Sequence, residues 1–254
     1  MAEGKVETKI ENGVASIVFF HPQSNSLPGL ILNKLADEIA RAGNNSGAKV
    51  IVLKSEGEKA FCAGASFDEL ISIKDFEAGK KFFSGFAGVI NAIRQVPKFV
   101  IARVQGKAVG GGVGIASAAD YTIAHDSASV KLSELAVGIG PFVVGPAVER
   151  KIGNSAFCQL TINATEWQSA LWAKEKGLYT EIYSTYSDLD NAVSNLTAKL
   201  AQSNPEAMSL LKKAMWQGTD HWDSLLMERA EMSGKLVLSD FTRKAIEKFK
   251  AGIR

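Results

Sequence analysis

The chain reads as an α/β protein, with an alternating core over roughly residues 1–190 and a helical C-terminal region over 191–254. Three observations predict this. Short runs rich in β-branched and aromatic residues, bounded by turn residues, recur through the first half. Amphipathic stretches of helical period lie between them. From about residue 145 the pattern is helical, apart from one short strand candidate, LYTEIYS, at 178–184.

The predicted strands are VASIVFF (14–20), VIVLKS (50–55), KFVIARV (98–104) and DYTIAH (120–125). LPGLILNKLADEIARAG (27–43) places Ile31, Leu35 and Ile39 four residues apart with charges between them, the mark of a helix with one buried face. FEAGKKFFSGFAGVINAIRQV (76–96) is a second amphipathic run, ended by Pro97. Beyond 145 come VERKIGNSAFCQLT, TEWQSALWAKEKG, LDNAVSNLTAKLAQSN, PEAMSLLKKAMWQG and HWDSLLMERAEMSGKLVLS, all helical in pattern. Neither an internal repeat nor a low-complexity tract stands out.

Composition narrows the function classes. With 46% apolar residues and 22% charged ones, the chain can bury a sizeable core. A net charge of +2 with no basic run argues against a nucleic-acid surface. Cys62 and Cys158 form no CxxC pair and are expected as reduced thiols. The start, MAEGKVETKIENG, has no apolar signal-like core, and no window reaches 18 continuous apolar residues, so a cytoplasmic protein is expected. His21, His125 and His221 are scattered without ligand spacing, so no metal site is expected.

The chemistry-bearing candidates are two small-residue turns. GKAVGGGVGIAS (106–117) follows the strand FVIARV (99–104) and opens a helix. Such a turn presents unpaired N–H groups to an anion or to developing negative charge. Close packing of helix on sheet needs small residues too, and the glycines alone do not separate the two uses. KAFCAGASFDEL (59–70) contains a second such turn, Cys62–Ala63–Gly64–Ala65–Ser66, after the strand VIVLKS. Two converging main-chain donors make an oxyanion hole. An ordinary turn remains the alternative for FCAGAS taken alone.

AFCAGASFDEL, VGGGVGIASAADYTIA, LSELAVGIGP (132–141) and FTRKAIEKFKAG (241–252), in that order, resemble the crotonase (enoyl-CoA hydratase/isomerase) superfamily, and the resemblance runs from about Val14 to the C-terminus. It implies a crotonase-like fold, a spiral of repeated ββα units with a C-terminal helical trimerisation region. It implies an acyl-CoA thioester as substrate, a homotrimer or dimer of trimers, and no cofactor beyond the coenzyme A of the substrate. It places an oxyanion hole at the N–H groups of Ala65 and Gly111 and an acid/base at Glu134. Losing one such donor typically lowers the rate by about 10² to 10³. A side chain at Gly111 is expected to push the thioester carbonyl away.

One departure from the family pattern matters most. Hydratases of the family resemble one another in having two glutamates, and the position of the first is Gly114 here. Water addition divides its proton transfers between two carboxylates. Moving a double bond needs only one, which removes a proton beside the thioester and returns it two carbons along. The resemblance therefore implies isomerase-type chemistry through Glu134. The alternatives are an enoyl-CoA hydratase, including a branched-chain one, and a non-catalytic acyl-CoA binding protein. Superfamily members with altered carboxylates also carry out decarboxylation, ring chemistry or hydrolysis. Burial beside an acyl chain is expected to lift the Glu134 pKa toward about 6–7. A glutamate installed at 114 is expected to raise water addition.

The same resemblance marks binding candidates. GIGPFVVGPAVER (138–150) lines the acyl pocket or is plain core, with Phe142 and Val143 setting depth in the first case. Glu149 is read as solvent-facing. Gln23 and Ser24, in HPQSNSLPG (21–29), are candidates for the nucleotide arm. Ser66 and Phe67 are candidates to flank the pantetheine, and Ala63, Gly110 and Gly114 are further substrate-binding candidates. Phe241 would cover adenine and Lys244 meet a phosphate, in the family at a neighbouring subunit's site; the alternative is helix core for Phe241 and a solvated face for Lys244. A dinucleotide site is the rival for the glycine turn, but no frame there gives G-x-G-x-x-G.

Overall fold

The structure is a computed structural model that describes residues 4–250. Ala251 and Gly252, at the end of the segment FTRKAIEKFKAG, lie outside the described residues. In chain order the elements are β1 (Lys5–Glu11), β2 (Val14–Phe20), β3 (Ser26–Leu27), α1 (Gly29–Asn44), β4 (Val50–Ser55), β5 (Ala60–Cys62), β6 (Gly64–Ala65), α2 (Phe67–Ser72), α3 (Phe76–Gln95), β7 (Val100–Val104), β8 (Lys107–Val109), α4 (Gly111–Ala118), β9 (Tyr121–His125) and β10 (Val130–Lys131). A 3-10 turn (Glu134–Val137) follows, then α5 (Gly145–Ile162), α6 (Ala170–Glu175), β11 (Glu181–Tyr183), α7 (Tyr186–Ala201), α8 (Pro205–Met215), α9 (Trp222–Leu236) and α10 (Asp240–Lys250).

The main sheet has the order β1-β2-β4-β7-β9-β11, antiparallel at β1/β2 and parallel elsewhere. A smaller parallel sheet, β10-β8-β5, and the pair β3-β6 run beside it. Each central strand thus hands the chain to a short strand of the second layer before a helix returns it: β4 to β5, β7 to β8, β9 to β10. This is the ββα spiral. β4 is apolar at Val50, Ile51, Val52 and Leu53, all buried, as a parallel strand covered on both faces must be. Helices α1 and α3 belong to the larger apolar cluster, while Leu189 and Val193 of α7 cover Val50, Val52, Ile101 and Ile123.

The four long strands and both amphipathic helices lie where the residue pattern puts them, within two residues at each end. Strand β1 was not legible in the polar start of the chain. Its signal is alternation, with Glu7, Lys9 and Glu11 exposed opposite Val6, and a hairpin turn at Asn12–Gly13 with φ of 49° and 81°. The glycine turn does not follow FVIARV directly, because β8 intervenes, and FCAGAS is not only a turn, because it contains β5 and β6. Strands of two or three residues carry no periodicity and exist only through their partners. Helix α5 is broken at Gly153, where φ is 77°. Position 190/191, the seam drawn from sequence, falls inside α7. Among the described residues no helix is long and apolar enough to cross a membrane, and Cys62 and Cys158 are unbridged.

Candidate active site

The site is built around the head of α4. Gly110 has φ 53°, a conformation that favours glycine. Its N–H donates to Lys131 O at 2.9 Å, and its carbonyl accepts from Val113 N at 2.9 Å and Gly114 N at 3.1 Å. The Gly111 and Gly112 N–H groups, at the first helical positions, have no intrahelical acceptor. The β6 segment lies against this helix head: a Cβ at Gly64 (φ 92°) would sit 3.2 Å from Val109 O and 3.8 Å from Gly111 N. The two sequence-predicted turns, with Ala65 and Gly111, therefore meet.

Each glycine of the triplet has its own steric reason. A Cβ at Gly110 would lie 2.9 Å from Glu134 Oε1, one at Gly111 would lie 2.2 Å from the Phe86 ring, and one at Gly112 would lie 2.4 Å from Cys62 O. The expected conflict at Gly111 was with a substrate carbonyl. The first conflict is instead with Phe86, so packing of α3 on α4 already requires glycine there.

Glu134 opens the 3-10 turn and brings its carboxyl over Gly110. The residue is half-buried as a whole, but Oε2 is sealed from solvent and has no hydrogen-bond partner among the described residues. The enclosure of the carboxyl itself governs its ionisation. Burial pushes its pKa up to about 7, partly opposed by a hydrogen bond from its own main chain. Its carbonyl accepts from Ile139 N at 3.0 Å, and Gly138, with φ 82°, closes the turn.

At Gly114 there is no room for the missing carboxylate. A Cβ there would lie 2.5 Å from Val144 Cγ1 and 3.6 Å from Ile90 Cδ1. Both residues are buried and apolar. Sequence reasoning missed Val144, Ile90 and Phe86, because each is an ordinary apolar residue until the fold sets it against a glycine.

The remaining candidates are dispersed around this centre. Gln23 is exposed, and its Nε2 donates to Asp68 Oδ2 at 2.7 Å; Ser24 is exposed at φ 55°. Their loop is held by a residue the sequence reading passed over. Buried Asn25 accepts from His21 N at 2.8 Å and donates to Glu56 O and Ala60 O, each at 2.9 Å. Ala63 and Phe67 are half-buried. Ser66, expected beside the pantetheine, is buried, and its hydroxyl caps α2 by accepting from Glu69 N at 3.3 Å. Phe142 is half-buried against Gly140. Phe241 is 68% exposed yet touches Gly138 of its own chain, and Lys244 is exposed on the same helix. Glu149 is exposed and accepts from Asn154. Two surface depressions, one beside Glu38 and Arg41 and one beside Lys49 and Lys98, contain none of these residues.

Comparison with known proteins adds a family. The family described as enoyl-CoA hydratase/isomerase matches residues 9–251. A short-chain-enoyl-CoA hydratase of Clostridium acetobutylicum is 30% identical over 244 residues, 94% of this chain and 92% of that relative. A probable enoyl-CoA hydratase of Bacillus subtilis is 26% identical over 246 residues, 96% of this chain and 95% of that relative. Among solved structures, an enoyl-CoA hydratase from Bacillus halodurans superposes with a TM-score of 0.88 at 22% identity, over 95% of this chain and 98% of that one.

Proposed function

The chain belongs to the enoyl-CoA hydratase/isomerase family, and from that premise we propose that it moves a double bond within an acyl-CoA thioester, with Glu134 as the single acid/base. One observation carries the reading: the space beside Gly114 is taken by the apolar Val144 and Ile90, so position 114 offers no carboxylate to work beside Glu134.

The N–H groups of Ala65 and Gly111 polarise the thioester oxygen. The Glu134 carboxylate removes a proton from the carbon next to the thioester of a 3-enoyl ester. The electrons move into a dienolate whose oxygen the two N–H groups hold. The carboxyl, now protonated, returns the proton two carbons along, leaving the 2-enoyl ester. A base with a pKa of about 7 suits both halves of this exchange at neutral pH. Coenzyme A enters as part of the substrate, with Gln23, Ser24, Phe241 and Lys244 as its proposed contacts.

Hydration is the second reading, favoured by the hydratase names of the relatives. A panel of 2-enoyl, 3-enoyl and branched esters in water-18, followed by mass spectrometry, separates the two. Bond migration without heavy oxygen in a 3-hydroxyacyl product is expected. Stoichiometric heavy-oxygen uptake would replace isomerisation by hydration.

A further inference from the structure

We propose that Thr242, on the C-terminal helix α10, is a positioning residue for Glu134, holding in place the 3-10 turn that carries the carboxyl. The proposal rests on the reading of Glu134 as the acid/base and adds a residue from a different part of the chain to its support.

Thr242 is fully buried, while its neighbours Phe241, Arg243 and Lys244 are exposed. Its hydroxyl donates to Gly138 O at 3.2 Å and accepts from Ser239 Oγ at 3.1 Å. Ser239 Oγ in turn accepts from Thr242 N at 3.3 Å, which fixes the first turn of α10. Gly138 is the residue that lets the helix approach: a Cβ there would lie 2.5 Å from Phe241 Cδ1 and 2.7 Å from Thr242 Oγ1.

The route from Thr242 to the carboxyl is short. Gly138 N donates back to Leu135 O and Glu134 O, and Ile139 N donates to Glu134 O. The main-chain hydrogen bonds of residues 133–139, from Ala136 N to Ser133 O through Ile139 N to Glu134 O, close within the segment. The Thr242 hydroxyl reaches that segment from outside it. A 3-10 turn of four residues has little hold on its own geometry, so an external tether decides where its first side chain points. The charged side chains Asp240, Arg243 and Lys244 of α10 and Glu149, Arg150 and Lys151 of α5 do not shift the Glu134 carboxyl, whose pKa responds first to burial. Loosening the turn therefore acts through water access.

The test compares Thr242→Val, which keeps the shape and removes the hydroxyl, with Thr242→Ser, which keeps the hydroxyl. Turnover on the ester that the wild type converts is measured beside infrared titration of the Glu134 carboxyl, identified by its loss in Glu134→Gln. Thr242→Val is expected to lower kcat about tenfold with KM nearly unchanged, because small misplacements of a reacting group are costly. The carboxyl is expected to titrate closer to an ordinary glutamate as water reaches it. Thr242→Ser is expected to restore both. If Thr242→Val does not fold, Thr242→Ala carries the same comparison. Wild-type kcat and titration in a folded variant without the hydroxyl overturn the proposal, as does equal loss in Thr242→Ser. Full turnover by Glu134→Gln would instead sink the catalytic reading, while the infrared titration still decides the tether.

Discussion

At Glu134 a carboxyl sits at the head of a helix, where the dipole favours its charge, yet burial wins and the pKa rises to about 7. The unfolded glutamate loses its proton near 4.5 and the folded one near 7, so stability is greatest below the first value and falls as pH rises between them. At about 1.4 kcal/mol per unit, the loss amounts to about 3 kcal/mol. Glu134→Gln is therefore expected to gain thermal stability over the wild type as pH rises from 5 to 8. A constant difference in melting temperature across that range would contradict the buried carboxyl. In the wild type, kcat/KM is expected to climb about tenfold per pH unit below 7 and level off above it. At Gly114 the tight contact with Val144 changes the expectation drawn from sequence. Gly114→Glu alone is expected to destabilise by about 1–3 kcal/mol through overpacking. Paired with Val144→Gly, which removes both the Cγ1 at 2.5 Å and the Cβ at 2.8 Å, it gains room, and water addition to a 2-enoyl ester is then expected to rise. A folded double variant without that rise would count against the two-carboxylate division of labour. Glu134 and the glycines were legible because the family pattern surrounds them. Val144 and Phe86 were not, because nothing in an apolar residue records which glycine it faces.

At the scale of elements, the C-terminal helices are fastened to the core by two devices that no periodicity announces. Helices α3 and α9 meet at glycines: a Cβ at Gly234 would lie 2.7 Å from Lys80 N, and one at Gly79 would lie 2.9 Å from Gly234 O. Gly234→Ala is expected to cost about 1–3 kcal/mol in chemical denaturation, since main chain cannot yield as a side chain can. Its failure to destabilise would mean that the crossing is looser than these distances. The second device is Lys212 of α8. Its buried ammonium donates to Ile93 O and Lys98 O, each at 2.7 Å, and to Asp120 Oδ2 at 2.8 Å. Asp120 also accepts from Val100 N at 2.7 Å and Trp216 Nε1 at 2.8 Å. Burial lowers the Lys212 pKa, and the Asp120 carboxylate offsets only part of that shift. Lys212→Met is expected to cost about 3–5 kcal/mol, because it strands Asp120 inside. Adding Asp120→Asn is expected to recover part of that loss, as a double-mutant cycle in urea would read. Long strands and amphipathic helices were readable in advance, while β3, β5, β6, β8 and β10 were not. A strand of two or three residues is defined by the neighbour it bonds, not by its own sequence.

For the whole molecule, the resemblance to the family leads to the proposal of a trimer or a dimer of trimers. Leu210 and Leu211 on α8 are 62% and 57% exposed, and Met215 of the same helix is 49% exposed, surface that a second copy would cover. Light scattering at micromolar concentration is expected to give a multiple of three chains, and a monomer would end that proposal. By itself the sequence determined the layered α/β class, the order of the main strands and helices, and the place of a lone glutamate among small-residue turns. Those features are written in local pattern and in motifs of fixed spacing. Only the tertiary structure decided that the space beside Gly114 is filled, that Oε2 of Glu134 is shielded from solvent, and that α10 rests on the turn bearing it. Each of these depends on which distant residues share a volume, and a linear pattern of apolar and polar residues does not encode that pairing.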